Sequence, residues 1–174
     1  FFLLGGGNGD VNRFWERYAA MAKDYPEIVA RYEPSMKSIA ATARGSKIPY
    51  DPELTDPEGQ TCRLSDLFGR FTYIDIWATW CGPCCEEIPH LEKLVEAYRN
   101  DSRIEFVSIT VDKDRDAWLK KLDADPPQWK QLRNPEFCTL YGISGIPCFL
   151  MISPEGKIIT VHAPRPSDPT VKEF

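Results

Sequence analysis

The most informative segment of the chain is Asp75-Ile76-Trp77-Ala78-Thr79-Trp80-Cys81-Gly82-Pro83-Cys84. An apolar run of β-forming residues leads into two cysteines, and a helical pattern follows them. Cysteines at this spacing lie about one helical turn apart, close enough to close a small disulfide ring. The thiol of Cys81 faces the partial positive charge of a helix N-terminus, which favours its thiolate form. Because the thiolate is the nucleophile in disulfide exchange, the segment predicts chemistry that makes and breaks disulfide bonds.

The composition indicates an ordinary globular protein with a mildly acidic balance. The chain has 174 residues, of which 43% are hydrophobic, and a formal net charge of -5. That length suffices for one domain with a core and an additional arm. An acidic balance without basic runs argues against nucleic acid as a partner. The apolar opening Phe1–Leu4 is far too short to span a bilayer, so no membrane anchor is visible. Without an initiator Met or a signal-peptide pattern, we expect the chain to begin inside a longer precursor.

The cysteines and histidines do not predict a metal site. The six cysteines are too few for a disulfide scaffold and do not form two separated ligand pairs, which argues against structural zinc. Nothing in the sequence brings His90 and His162 to one site, and His90 is expected to be a surface or hydrogen-bonded residue. Phosphate loops, dinucleotide fingerprints and Ser-centred hydrolase motifs are absent from the sequence. We therefore expect no metal and no tightly bound organic cofactor.

The sequence divides into two zones. In residues 1–45, a Gly-rich start precedes apolar residues at helical spacing from Phe14 to Ala22, with Asp10 as a helix cap. Pro26 is expected to begin a second helix. The segment 45–50 breaks the helical pattern and is interpreted as a junction. This predicts a helical arm over residues 1–45 and a separate domain over residues 46–174.

Strand and helix signals alternate through the second zone, which predicts an α/β fold with a mixed sheet. The predicted strands form a hairpin around residues 56–59, buried strands at 71–77 and 104–111, and a hairpin around 154–156. The predicted helices cover residues 84–99 and 114–122, with a short one through Phe137 and Tyr141. A loop is expected at Pro126-Pro127.

Three motifs in order resemble the thioredoxin superfamily. They are the segment 75–84, the proline Pro89 within the following helix, and Gly145-Ile146-Pro147. The leading hairpin and Glu86-Glu87-Ile88-Pro89 look like the TlpA/ResA-like thiol-disulfide oxidoreductases of the bacterial cell envelope. The stretches 111–114 and 163–167 resemble versions found in Bacteroidetes. The resemblance implies a three-layer α/β/α sandwich with a mixed central sheet, preceded by the helical arm. Since such proteins often carry an additional N-terminal domain, the resemblance also favours interpreting the arm as the tail of a longer upstream region.

The resemblance also implies catalytic roles for individual residues. Cys81 is expected to attack a substrate disulfide, and Cys84 to resolve the resulting mixed disulfide. Asp75 matches a buried acid that assists deprotonation of the resolving thiol; the alternative is a solvent-facing residue at a strand edge. Glu87 matches a glutamate near the active site of ResA-like proteins, and a plain helix-surface position is the alternative.

The residues around the thiols are expected to bind substrate. Trp80 offers a flat apolar surface, with a core position as the alternative. A cis peptide bond at Pro147 would place Ile146 where its backbone can pair with an extended substrate. Gly82 and Pro83 carry no charge that would stabilise the thiolate, which favours the reducing end of the family's range.

Two further cysteines depart from the family pattern. Cys85 directly follows the pair, and Cys148 follows the expected cis-proline. An additional disulfide, a metal site or a regulatory thiol is conceivable for them, but packing as small buried hydrophobes is the default, as it is for Cys62 and Cys138.

The sequence therefore predicts a thiol-disulfide oxidoreductase that reduces disulfides of proteins in the periplasm or cell envelope. Its expected partners are protein thiols and disulfides and, by resemblance, a membrane electron donor. Isomerase or oxidase activity of the same fold is the first alternative. A peroxiredoxin-like peroxidase is less favoured because Ala78 stands where those enzymes place Thr. A role as a binding module without enzymatic activity is the third alternative. Such a module would need a missing or blocked cysteine pair, and both cysteines are present.

Overall fold

The computed structural model describes residues 16–18, 20 and 22–173, without the side chains of 34–40, 172 and 173. The Gly-rich opening and the predicted Asp10 cap lie outside the described residues, as does much of the first predicted helix; residues 16–18 and 20 are helical. The second predicted helix is confirmed as α1, Pro26–Ala41. It begins at a proline, which fits the first helical turn because the N–H that proline lacks has no intrahelical partner there.

Strands within the described ranges form one mixed sheet. They are β1 (Glu53–Thr55), β2 (Thr61–Arg63), β3 (Phe71–Trp77), β4 (Ile104–Thr110), β5 (Lys130–Arg133), β6 (Cys148–Ile152) and β7 (Ile158–Thr160). Their order across the sheet is β2-β1-β5-β4-β3-β6-β7. Strand β3 is central, because it pairs in parallel with β4 and antiparallel with β6. After α1, the described chain contains three more α-helices, α2 (Gly82–Ala97), α3 (Arg115–Ala124) and α4 (Phe137–Tyr141). It also contains two short 3-10 helices, Leu64–Leu67 before β3 and Pro169–Glu173 near the C-terminus.

Alternating side chains of β3 separate the two faces of the sheet. Ile74 and Ile76 pack into a core cluster with Phe137 of α4. On the opposite face, Tyr73 packs in a second cluster with Leu91 of α2. Trp77 packs in a third cluster with Trp118 and Leu122 of α3. The predicted three-layer α/β/α arrangement with a mixed sheet is therefore confirmed.

Strand β5 was not predicted from the sequence. Its four residues, Lys-Gln-Leu-Arg, have a weak β-forming composition and too short a pattern to be recognised. The strand is held by its neighbours: it pairs in parallel with β4 and antiparallel with β1 at Thr55. Pairing across the sheet, rather than local preference, makes this segment a strand.

The predicted junction around residues 45–50 is bonded to the edge of the sheet. Gly45 N–H donates to the carbonyl of Ile158 at 2.7 Å, and Ile158 N–H donates to the carbonyl of Ser46 at 2.7 Å. Lys47 forms an antiparallel bridge with Lys157. The segment therefore adds backbone pairing next to β7, while the boundary at residue 45 stays a prediction. Among the described helices, none combines the length and apolar character that a membrane crossing requires.

Candidate active site

Cys81 and Cys84 form a disulfide at the N-terminus of α2. Their Cα atoms are 5.2 Å apart, and Cys81 is the N-cap residue with extended backbone. The backbone N–H of Cys84 donates to the Cys81 sulfur at 3.2 Å. Only 6% of Cys81 and 2% of Cys84 is exposed, so the first cysteine is slightly the more accessible of the two. Gly82 and Pro83 form the exposed first turn beside the sulfurs.

Trp80 lies on the surface next to this disulfide. Its side chain is 70% exposed, so the alternative interpretation as a core tryptophan is wrong. The adjoining Ala78 is fully buried. A large exposed indole beside a redox-active pair is an apolar surface that a protein partner can cover.

The loop before Cys81 is held by Asp112, a residue whose role was missed from the sequence. Its carboxylate accepts from the Thr79 backbone N–H at 2.9 Å and from the Thr79 hydroxyl at 2.8 Å. The Thr110 hydroxyl donates to the same carboxylate at 2.6 Å. Asp112 lies two residues after the end of β4. An acidic residue near the carboxyl end of a strand next to the cysteine-bearing strand was the available signal.

Asp75 is buried in β3 under the active-site helix. It shares a sheet face with Tyr73 and Trp77, and 5% of it is exposed, so the interpretation as a solvent-facing edge residue is wrong. The Ser108 hydroxyl donates to Asp75 Oδ2 at 2.9 Å. Burial raises the pKa of Asp75 to about 7; the Ser108 hydrogen bond lowers it, and the nearby charge of Glu87 raises it further. A carboxyl with such a pKa can both bind and release a proton near neutral pH.

Glu87 is buried in α2 rather than displayed on its surface. It is 8% exposed, so the plain helix-surface alternative is wrong. Its two carboxylate oxygens accept from the backbone N–H of Ser167 at 3.0 Å and from the Ser167 hydroxyl at 2.8 Å. Arg165 approaches the same carboxylate at 4.0 Å. These contacts fasten the C-terminal segment 163–168 to the active-site helix.

The same C-terminal segment is fastened to the sheet. The Tyr73 hydroxyl donates to the carbonyl of Pro164 at 2.6 Å, and Ala163 N–H donates to the carbonyl of Phe149 at 2.8 Å. Burial, with the charges of Asp75 and Glu87, raises the pKa of Tyr73 above its ordinary value. The Tyr73 hydroxyl therefore stays protonated and continues to donate its hydrogen bond to the carbonyl of Pro164.

The loop before β6 packs against the cluster of residues that contains the disulfide. The Ile146–Pro147 peptide bond is cis. Ile146 packs against the cluster that contains Trp77, Cys81 and Cys84. A surface cavity of about 510 Å³ adjoins this loop, with Gly145, Pro147, Cys148 and Arg165 among its lining residues.

The remaining thiols lie in environments typical of cysteines that pack in the protein interior. Cys148 is buried, its thiol donates to the carbonyl of Val161 at 3.2 Å, and burial raises its pKa to about 11. Cys85 is half-buried, with its sulfur 3.8 Å from the carbonyl of Thr79. Cys62 lies in β2 and Cys138 in α4, and burial raises the pKa of both. Within the described part of the chain, acidic, cysteine and histidine side chains form no cluster of three that could hold a metal.

A disulfide at a helix N-terminus, a buried carboxyl on the sheet face under the same helix and a proline loop packed against the disulfide cluster together define a disulfide oxidoreductase on a thioredoxin-like fold. The chain belongs to the AhpC/TSA family, whose model matches residues 45–161. Membership in this family and the thioredoxin-like fold agree with the resemblance inferred from the sequence.

Individual relatives specify the class of enzyme. The chain is 24% identical over 164 residues to the thiol-disulfide oxidoreductase ResA of Halalkalibacterium halodurans, covering 93% of each protein. It is 28% identical to ResA of Bacillus subtilis over 62% of this chain and 61% of that protein. A crystal structure from Bacteroides vulgatus, assigned as a thiol-disulfide oxidoreductase, superimposes with a TM-score of 0.71 and 32% identity, covering 76% of this chain and 94% of that one. The predicted enzyme class, thiol-disulfide oxidoreductase, is confirmed.

Proposed function

We propose that the protein reduces disulfide bonds of cell-envelope proteins through a cycle between the Cys81–Cys84 disulfide and the corresponding dithiol. The observation that carries this proposal is the position of the disulfide, at the N-terminus of α2 and against the loop of cis-Pro147. A helix N-terminus stabilises a thiolate at Cys81, and the loop offers backbone beside it.

In the reducing direction, the Cys81 thiolate attacks one sulfur of a substrate disulfide. A Cys81–substrate bond forms, the substrate S–S bond breaks, and the first substrate sulfur leaves as a thiolate that takes a proton. The Cys84 thiolate then attacks the Cys81 sulfur, the mixed disulfide breaks, and the second substrate thiol is released. Two electrons pass to the substrate, and Cys81–Cys84 is left oxidised.

Asp75 accepts the proton of Cys84 in the second step. Its burial on the sheet face under α2 supports this role, as does its pKa of about 7, raised by burial. A carboxyl titrating near neutral pH is ionised in part of the population and can therefore act as a base. Glu87 contributes through its charge and through its hold on Ser167, which makes it a positioning residue.

Substrate binds across the exposed rim of the site. Trp80 supplies the apolar surface, and the exposed turn Gly82-Pro83 gives a polypeptide access to the sulfurs. Ile146, which packs against the cluster that contains the disulfide, pairs through its backbone with an extended substrate segment. This mode of binding is tolerant of substrate sequence because main-chain groups provide most of it.

The protein operates in the periplasm or cell envelope and is recycled by a membrane electron donor that carries a dithiol. The relatives named ResA and the envelope proteins that the sequence resembles support this location. The donor's dithiol reduces Cys81–Cys84 by the reverse exchange, so the donor is oxidised as the site is regenerated.

The decisive experiment combines a reduction potential with trapping of substrates. The Cys81–Cys84 couple is expected below about -200 mV, towards the value of thioredoxin and far from the strong oxidase DsbA. Cys81→Ser is expected to abolish reduction of insulin disulfides, and Cys84→Ser to accumulate mixed disulfides with envelope proteins. A potential near about -120 mV would instead identify an oxidase. Full activity of Cys81→Ser would refute the mechanism.

Peroxidase activity is the competing proposal from a different class. Ala78 is fully buried and lacks the hydroxyl that peroxiredoxins place at this position. We therefore expect little thiol-dependent consumption of peroxide. An isomerase is closer to the main proposal and would be recognised by rescue of scrambled ribonuclease at a rate comparable to its reduction of insulin.

A further inference from the structure

A chain of two hydrogen bonds, the first partly buried and the second buried, leads to Asp75. The indole N–H of Trp129 donates to the Ser108 oxygen at 2.8 Å, and the Ser108 hydroxyl donates to Asp75 Oδ2 at 2.9 Å. An indole nitrogen can only donate, so the serine oxygen accepts from it. The serine proton is consequently directed at the carboxylate of Asp75.

The sheet itself aligns these three residues. Parallel pairing of β3 and β4 sets Asp75 opposite Ser108. The next pairing sets Ser108 opposite Gln131, with Trp129 just ahead of β5. The alignment therefore depends on β5, the strand that the sequence did not predict, and Ser108 and Trp129 carried no recognisable motif of their own.

We propose that Ser108 and Trp129 are positioning residues for Asp75, which keep a hydrogen-bond donor aimed at its carboxylate and so preserve its ability to act as a base towards Cys84. The proposal rests on the proton-accepting role of Asp75 stated under the proposed function. A hydrogen bond to the ionised form favours ionisation, and a donor held in place by a second bond needs no reorganisation when the carboxylate forms.

The groups around Asp75 show why such a donor matters. Glu87 of α2 opposes ionisation through its charge, and burial opposes it more strongly, whereas the Ser108 hydrogen bond acts in the opposite direction. Other titratable groups lie near Asp75: Tyr73 on the same face of β3, the reduced thiols of α2, and Lys121 and Asp125, which share a cavity of about 10 Å³ with Asp75 and Ser108. Cys148 on β6 lies on the opposite face of the sheet, although the charge of Asp75 helps to raise its pKa.

Loss of the serine hydroxyl has a specific consequence for the reaction. Without that donor, burial and Glu87 remain, and both hold Asp75 protonated. A protonated Asp75 cannot take the proton of Cys84, so resolution of the mixed disulfide would require a higher pH. The first attack by Cys81 would keep its own pH dependence.

The test compares five variants of the full chain, of which Asp75→Asn removes the proposed base itself. Ser108→Ala removes the donor, Ser108→Thr keeps a hydroxyl, and Trp129→Phe removes the bond that orients it. Thr72→Val is the matched control, because Thr72 is a buried β3 hydroxyl whose bond goes to the carbonyl of Leu67. The titration of Asp75 is followed by carboxyl ¹³C NMR in the oxidised protein, and single-turnover resolution of a mixed disulfide is measured across pH.

For Ser108→Ala, the NMR midpoint of Asp75 and the pH profile of resolution should both move upward by about one unit. Trp129→Phe should move them in the same direction by less, while Ser108→Thr and Thr72→Val stay near wild type. An unchanged Asp75 midpoint in Ser108→Ala would overturn the proposal; if that variant does not fold, an unchanged midpoint in Trp129→Phe does so. A shifted midpoint with resolution insensitive to Asp75→Asn would instead refute the role of Asp75 itself.

Discussion

Asp112 accepts hydrogen bonds from both the backbone N–H and the hydroxyl of Thr79, at 2.9 and 2.8 Å. Thr79 lies two residues before Cys81, and Asp112 follows the neighbouring strand β4. The backbone that carries this carboxylate is held in turn, because the Arg133 guanidinium donates to the main-chain carbonyls of Asp112 and Lys113 at 2.9 and 2.7 Å. The loop before Cys81 is thus tied to the sheet through the side chain of Asp112.

Replacement of Asp112 should loosen this loop. Asp112→Asn substitutes an N–H₂ group for one acceptor oxygen, so at least one donor among Thr79 and Thr110 loses its partner. We expect the free energy of unfolding to fall by about 1–3 kcal/mol, measured by urea denaturation of the oxidised protein. The matched control is Asp123→Asn, an exposed position in α3, which should change it little. Equal stability of the two variants would contradict the anchoring role.

Burial of Asp75 makes stability depend on pH. Its folded-state pKa of about 7 lies above the unfolded value, so the folded state binds the extra proton and stability falls as pH rises between about 4 and 7. Asp75→Asn removes this dependence. Relative to wild type, the variant should gain at most about 4 kcal/mol near pH 8 and little near pH 4, as measured by urea denaturation of both oxidised proteins.

The difference in free energy of unfolding between Asp75→Asn and wild type cancels the contribution of other titrating groups. Asp123→Asn again serves as the control. A gain that is the same at both ends of this pH range would mean that Asp75 titrates normally in the folded state.

Removal of the Glu87 charge should lower the pKa of Asp75, whereas loss of the Ser108 hydroxyl should raise it. Because Glu87 raises the pKa of Asp75, Glu87→Gln is expected to lower it and to move the pH profile of mixed-disulfide resolution downward. The variant should also loosen part of the C-terminal segment, since only one of the two oxygens that accept from Ser167 remains. Carboxyl ¹³C NMR of Asp75 and amide hydrogen exchange at Ser167 report the two effects.

Glu86→Gln is the matched control for this pair of measurements, because Glu86 is the adjacent but exposed carboxylate of α2. A shift in Asp75 titration of the same size in both variants would indicate a general charge effect rather than a contact specific to Glu87.

Exposure of Trp80 predicts a defect limited to large substrates. Trp80→Ala should lower kcat/KM for insulin by about tenfold or more, because interface tryptophans contribute strongly to binding. The rate with a small aromatic disulfide should change little, and so should stability. Phe71→Ala, at the opposite end of β3, is the control. Loss of rate with both kinds of substrate would show that Trp80 acts on the chemistry and not on docking.

Burial of Cys148 predicts that its thiol is inert. With its pKa raised to about 11, its thiolate fraction near pH 8 is about a hundredfold below that of an ordinary cysteine. In the reduced native protein, iodoacetamide should therefore label Cys81 first and Cys148 last, as resolved by peptide mass spectrometry. Cys148→Ser should leave insulin reduction near wild type. Rapid labelling of Cys148 would revive its interpretation as a third redox thiol.

Much of the candidate site followed from local sequence. The cysteine pair, the apolar strand before it, the helix after it and the hairpins on either side are encoded by short-range spacing and by turn residues, and these elements lie where they were predicted. Asp75 was recognisable because an acid is conspicuous within an otherwise apolar strand. The interpretations of Glu87 and Trp80 stayed open at that stage, since periodicity alone does not show what covers a helix face or a loop.

The sequence by itself determined the chemistry of this protein: two thiols at a helix start, and a carboxyl in the strand that leads to them. Tertiary structure decided what surrounds that chemistry. Ser108, Trp129, Asp112 and Ser167 reach the site from distant points along the chain. Asp112 and Ser167 fall in stretches that carry the family resemblance, but local sequence assigns a role to none of the four. Hydrogen bonds between such residues depend on strand order and register, which arise only when the whole sheet assembles.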